Sequence, residues 1–159
     1  MDKNLNLEQI HTSNKILKSH RIKVGFFLQY GYPGEEMVDI RMTLGLIKAC
    51  KPDSIGISIS YPLKNTPFYQ KVIHEMGEKK NWTDSGDLAL MYTGKYHPDF
   101  YRALHTYTHH YFGFMSLFKK QPVNKCLRRL AAQYKHIPGI LKYRVKMQPY
   151  LSESDSKKI

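Results

Sequence analysis

The stretch Ile22 to Glu35, IKVGFFLQYGYPGE, constrains this chain most, because an apolar strand runs into a Gly31-Tyr32-Pro33-Gly34 turn that opens a helix. Backbone N–H groups at a helix start have no intrahelical acceptor and carry partial positive charge, so such a junction offers donors to an anionic ligand. A helical segment, Glu35 to Cys50, leads to a second apolar strand at Asp53 to Tyr61, DSIGISISY. Strand, helix, strand is the unit of a parallel sheet.

Alternation along the strands separates their faces. In the second strand Ile55, Ile57 and Ile59 alternate with Gly56, Ser58 and Ser60, so one face is bulky and the other nearly bare. In the first, Val24, Phe26 and Leu28 form the set expected under helices, while Gly25, Phe27, Gln29 and Gly31 point the other way. Parallel sheets are usually covered on both sides, so a small, polar face suggests a barrel lumen or a cleft. Small residues that relieve crowding in a tight barrel would read the same way.

The remaining elements follow from periodicity. Leu7 to Ser19 reads as a helix with Ile10, Ile16 and Leu17 on its apolar face and Lys15 and Lys18 outside it. Met37, Ile40, Leu44 and Ile47 form the buried stripe of the next helix, which Pro52 prevents from continuing. After a Pro62 to Pro67 loop, Phe68 to Met76 reads as a short helix stopped by Gly77. Pro98 to Lys120 reads as a helix with Phe100, Leu104, Tyr107, Tyr111, Phe114 and Leu117 recurring at threes and fours. The 159 residues make one domain or a piece of one, and 42% hydrophobic content fits a globular protein. The start, MDKNLNLEQ, is polar, and no apolar run approaches the roughly 20 residues of a membrane span, so a cytoplasmic location is expected. Cys50 and Cys126 lie far apart without a CxxC or Cys/His spacing, which argues against a disulfide framework or a cysteine-ligated metal.

Taken in order, the FFLQYGYPGE strand and turn, the acidic helix start, the GISISYPL strand, the Thr-Pro-Phe-Tyr helix start, the Asn-Trp…Asp-Leu segment and HPDFYRALHTYTHHYF resemble the carboxy-terminal half of radical S-adenosylmethionine enzymes. The chain is most similar to the branch with an upstream cobalamin-binding domain, over roughly Met1 to Phe112. The resemblance implies an α/β fold in which residues 1–80 are the last two β/α units of a partial, six-stranded TIM-like (β/α) barrel. Residues 81–120 would be a connecting segment and an aromatic, His-rich helix, and 121–159 a basic helical tail ending in disorder.

Such enzymes hold a 4Fe-4S cluster through a CxxxCxxC motif, reduce bound S-adenosylmethionine with it and release a deoxyadenosyl radical. This chain has no such motif, so the resemblance implies a fragment, not catalytically competent alone: either a truncated reading frame or one piece of a split gene, whose partner would then be the missing amino-terminal half on another chain. Cobalamin use would belong to the parent protein. The resemblance puts Gln29 beside the adenine, completes the first strand's motif with Gly31 and the Pro33-Gly34-Glu35 turn, and brings backbone of Tyr61, Pro62 and Leu63 to the adenine edge. Where the family often has Pro-Gly-Thr, this chain reads Lys64-Asn65-Thr66. No catalytic residue is indicated. Glu35 also suits simple charge compensation at a helix start.

His105 and His109 share a helix face at a spacing that can ligate zinc, with His110 beside them, yet no third ligand is evident and packed or solvated histidines are the expectation. Trp82, Asp84 and Asp87 mark the connecting segment as turn and anchor residues. From Gly113 onward eleven Lys and Arg face two acids, so most of the chain's formal +12 lies there. Cys126 to His136 reads as a basic helix with Leu127, Leu130 and Ala131 as its stripe. That charge supports an alternative, a small basic module binding polyanions or nucleic acid through nonspecific phosphate contacts. A solvated helix or one docked on an acidic partner fits the same charge.

Overall fold

The computed structural model describes residues 6–77, 90–116, 136–152 and 155. Helix α1, Leu7–Ser19, starts on a capping box in which the Asn6 side chain accepts from Gln9 N–H at 2.8 Å and the Gln9 side chain accepts from Asn6 N–H at 3.0 Å. Strand β1, Gly25–Tyr30, is followed by helix α2, Met37–Cys50, and strand β2, Ser54–Ile59. A short helix α3, Pro67–Val72, runs into a 3-10 turn at Ile73–Glu75, and Gly77 takes φ +57. Helix α4, Pro98–Met115, and helix α5, His136–Met147, then pack against one another, with a closing 3-10 turn at Gln148–Tyr150.

The two strands pair in parallel, Gly25 opposite Ser54 through Tyr30 opposite Ile59. Leu28, Tyr30 and Ile59 are buried on one face, with Phe26, Ile55 and Ile57 half-buried beside them. The other face carries Gly25, Phe27, Gln29, Ser54 and Ser58, all exposed, and the Phe27 ring is 96% exposed. It leans on Gly56, where a Cβ would sit 3.0 Å from two of its carbons.

A TIM-like barrel fragment is not what these residues build. Among the described residues the sheet has two strands, β1 and β2, and the rest is mainly helical. Among the described residues no further strand joins either edge, and Phe27, Gln29 and Ser58 lie exposed where a barrel lumen was expected, while Ser60 at the end of that side is buried. Helix α4 packs against both α2 and β2, and the covered face therefore borders a helical core. That core gathers Tyr30, Met37, Ile40, Phe68, Met91, Tyr92, Phe100, Tyr101, Leu104 and Met147. Of the stripe expected on α4, Phe100, Leu104 and Tyr107 are buried, Tyr111 and Phe114 half-buried, and Leu117 lies outside the described residues.

Helix α1 departs from its periodicity. Ile16 is 54% exposed and Leu17 also exposed, while Asn14 is the buried residue. The helix docks by polar contacts on the end of α2: Asn14 Nδ2 donates to Cys50 O at 3.1 Å, and Lys18 Nζ donates to Cys50 O at 2.8 Å and to Lys51 O. These donors meet carbonyls the helix leaves unpaired, and the lysine suits the negative end of its dipole. Lys51 closes α2 in a left-handed conformation, φ 48, with its N–H donating to Ile47 O. Helix α2 begins at Met37, because Glu35 belongs to the preceding turn and donates its N–H to Tyr32 O at 2.9 Å.

Candidate functional site

The turns after β1 and β2 emerge side by side at the carboxyl end of the parallel pair, where open α/β sheets bind ligands. Ser60 N–H donates to Tyr30 O at 2.7 Å and carries the pairing one step further. Gly31 follows at φ +82, a conformation that favours glycine, and a Cβ there would lie 2.8 Å from Leu90 Cδ2. Gly34 has φ +87 but open space around it.

The expected row of free N–H donors is partly occupied. The Glu35 carboxylate folds back and accepts the Gly31 N–H at 2.7 Å, so the chain supplies its own anion to the turn. On its other side Gly31 is fixed by the Tyr92 hydroxyl, which donates to Gly31 O. Burial pushes the Glu35 carboxyl up to about 7, the Gly31 N–H opposes that rise, and the nearby Asp39 charge adds to it. Three phenols surround this carboxyl electrostatically. Tyr30, Tyr92 and Tyr101 are all held above the ordinary tyrosine range, by burial first and by the Glu35 charge among lesser causes. Tyr30 Oη lies 3.1 Å from Thr108 Oγ1, which itself donates to Leu104 O at 2.8 Å, so α4 is tied to the end of β1. A carboxyl that exchanges its proton near neutrality beside buried phenols can act as an acid or a base at physiological pH.

The other sequence candidates spread around this turn. Gln29 is exposed on the open sheet face beside Phe27, and Pro33 is exposed at the tip of the turn. Tyr61 is half-buried, Pro62 buried and Leu63 exposed, with Leu63 O accepting from Thr66 Oγ1 at 2.6 Å. Asn65, at φ 65, supplies the left-handed residue of that loop, and Thr66 caps α3 by accepting from Tyr69 N–H at 3.1 Å. Gly31, Glu35 and the start of the β2 loop are thus brought to one end of the sheet, whereas Gln29 reaches outward from its face.

Sequence reading passed over Tyr30, Tyr92, Tyr101 and Thr108. The first sits at the strand end and the others come from segments whose aromatics read as generic core; the hydroxyl of each was the available signal. Cys50 is buried, with Sγ 3.3 Å from His11 Nδ1, and burial raises its thiol while Lys18 lowers it. One buried thiol cannot hold an iron-sulfur cluster, whose thiolates must converge. Cys126, Trp82, Asp84 and Asp87 lie outside the described residues, as does the expected basic helix from Cys126 except for His136, which begins α5. The His105 and His109 rings are 4.7 Å apart, and burial, then a neighbouring histidine, lowers the proton affinity of each. No group of three or more His, Cys, Asp or Glu among the described residues is placed to hold a metal ion. No described helix is long and apolar enough to cross a membrane. Neither a protein-family model nor a curated protein matches the sequence.

Proposed function

We propose that this chain is a portion of a radical S-adenosylmethionine enzyme that works in the cytoplasm and contributes a nucleoside-binding edge to it. The reading is carried by one observation: two parallel strands, helix-covered on one face and bare on the other, end together at a glycine turn. Gln29, beside the bare face, supplies an amide for a base edge, and the exposed Phe27 ring supplies an apolar surface for it. Gly31, Pro33, Gly34 and Glu35 shape the turn, and backbone of Tyr61 to Leu63 borders it from the β2 side. When bound, S-adenosylmethionine supplies the radical precursor. The cluster thiolates and any cobalamin come from outside these residues, since Cys50 alone cannot ligate a cluster. A companion portion, on the same or another polypeptide, would cover the open face and pair with its edges.

Calorimetric titration of the full chain with S-adenosylmethionine tests this. Saturable binding that weakens about fivefold in Gln29→Ala, the worth of one hydrogen bond, supports the reading. Absence of saturable binding up to about 1 mM, an affinity of roughly 4 kcal/mol, removes it.

The second reading, polyanion binding, is favoured by exposed Lys142, Arg144 and Lys146 on α5. Retardation of nucleic acid that disappears steeply with added salt supports it, and no retardation at low salt refutes it.

A further inference from the structure

Helix α2 turns Met37, Ile40, Arg41 and Leu44 to one side at helical spacing. Phe100, Leu104 and Tyr107 do the same on α4, and with Met147 of α5 the two sets enclose a cavity of about 100 Å³. Met37, Ile40, Phe100, Leu104 and Met147 are each at most 2% exposed and form its floor. Leu44 is half-buried and Arg41 exposed, which places the mouth beside the guanidinium. Protein interiors pack to the density of organic crystals and keep few spaces wider than a water. A hydrocarbon-lined cavity of about 150 Å³ stays dry and takes up benzene, so by the same measure this one accommodates roughly four carbon atoms.

The rim has a sign. None of the described residues lining the cavity is acidic. Arg41 makes no ion pair among the described residues, so its planar fork of donors can turn to a carboxylate. From α5 the Arg144 charge acts on the Tyr107 phenol in the cavity wall, opposing the upward push of burial. Cations therefore border an apolar space. A neutral hydrocarbon would leave that charge unused, and a zwitterionic amino acid would bring an ammonium to a wall without a counter-charge.

We propose that the cavity between α2, α4 and α5 binds a short aliphatic carboxylate, its tail among Met37, Phe100, Leu104 and Met147 and its head on Arg41. The site goes beyond the strand-end reading, since none of its residues belongs to the turns after β1 and β2. Tail and head are read separately. Each buried methylene tightens binding about fourfold until the space is filled, and a longer tail finds no further room. The exposed guanidinium adds a smaller, salt-sensitive factor, because solvent screens it.

Methionine-methyl NMR of the full chain, titrated at pH 7 with propionate, butyrate, pentanoate and heptanoate, tests the proposal. The methyls of Met37 and Met147 should shift saturably in the millimolar range while the exposed Met42 does not move. Affinity should rise about fourfold per carbon up to pentanoate, whose tail has about the four carbons the space holds, and gain nothing further with heptanoate. Arg41→Met, a change at an exposed position, should weaken pentanoate about fivefold and leave 1-pentanol within about twofold. Unmoved Met37 and Met147 methyls up to about 50 mM pentanoate would overturn the site. Equal binding of pentanol and pentanoate, or unchanged pentanoate affinity in Arg41→Met, would overturn the carboxylate head. Affinity that keeps climbing beyond pentanoate would show an open apolar surface and overturn the bounded cavity.

Discussion

Replacing Glu35 by glutamine should stabilise the protein at alkaline pH and leave it nearly unchanged in acid. In the folded chain burial raises this carboxyl from 4.5 to about 7, although it accepts the Gly31 N–H. Between those values the native state binds more protons than the unfolded chain, so its stability falls as pH rises. The fall is complete above the folded value and absent below the unfolded one. At about 1.4 kcal/mol per pH unit, the span from 4.5 to about 7 amounts to about 3.5 kcal/mol, which solvent screening at this half-buried side chain reduces to about 3 kcal/mol. Glutamine keeps an oxygen that can accept the Gly31 N–H but has no charge to desolvate. Urea titrations followed by circular dichroism should therefore place Glu35→Gln about 3 kcal/mol above wild type at pH 8.5 and within about 1 kcal/mol of it at pH 4.5. The melting temperature at the higher pH should rise by roughly 6–12 °C. Equal pH slopes in the two proteins would show that the carboxyl is not buried in the turn, and a steeper loss in the variant would reverse the argument.

Gly31→Ala should cost about 2–3 kcal/mol, since it combines a left-handed conformation with a Cβ 2.8 Å from Leu90, whereas Gly34→Ala, with nothing near it, should cost about 1 kcal/mol; equal losses in chemical denaturation would contradict the packing around Gly31. Lys18→Met should lose about 1 kcal/mol in low salt and less in high salt, because the ammonium caps the carbonyls of Cys50 and Lys51; a salt-independent loss would point to packing instead. Phe27→Ser should leave folding stability within about 0.5 kcal/mol of wild type in urea denaturation, and marked destabilisation would mean the ring is covered.

The strands were legible because side chains alternate strictly across a sheet, and along most of their length the expected sets separate into a covered face, with Leu28 and Ile59 buried, and an exposed one, with Phe27 and Ser58 open, whereas Gly31 and Ser60, expected on the bare face, are buried at its carboxyl end. What alternation does not encode is what lies beyond the bare face, and the barrel expected from it gives way to two strands beside a helical core. Helix α1 shows a different failure. Ile16 and Leu17 obey helical periodicity, yet the helix is held by Asn14 and Lys18 on backbone carbonyls of α2, a partnership no side-chain pattern announces. At the turn, Gly31 and Gly34 could be read as bends, but the return of Glu35 onto the Gly31 N–H depends on three-dimensional closure. The tyrosines around it come from positions far apart in sequence, and their convergence depends on how α4 crosses the sheet. The cavity beside Arg41 likewise required α2, α4 and α5 to meet, while the more conspicuous His105 and His109 spacing drew the eye to one helix.

The central claim, that the ends of β1 and β2 form a nucleoside-binding edge, is most directly tested by backbone amide NMR of the full chain during titration with S-adenosylmethionine. The account predicts saturable shifts concentrated at Gln29, Gly31, Gly34, Tyr61 and Leu63. Shifts confined to α5, or none at those five amides, would contradict it.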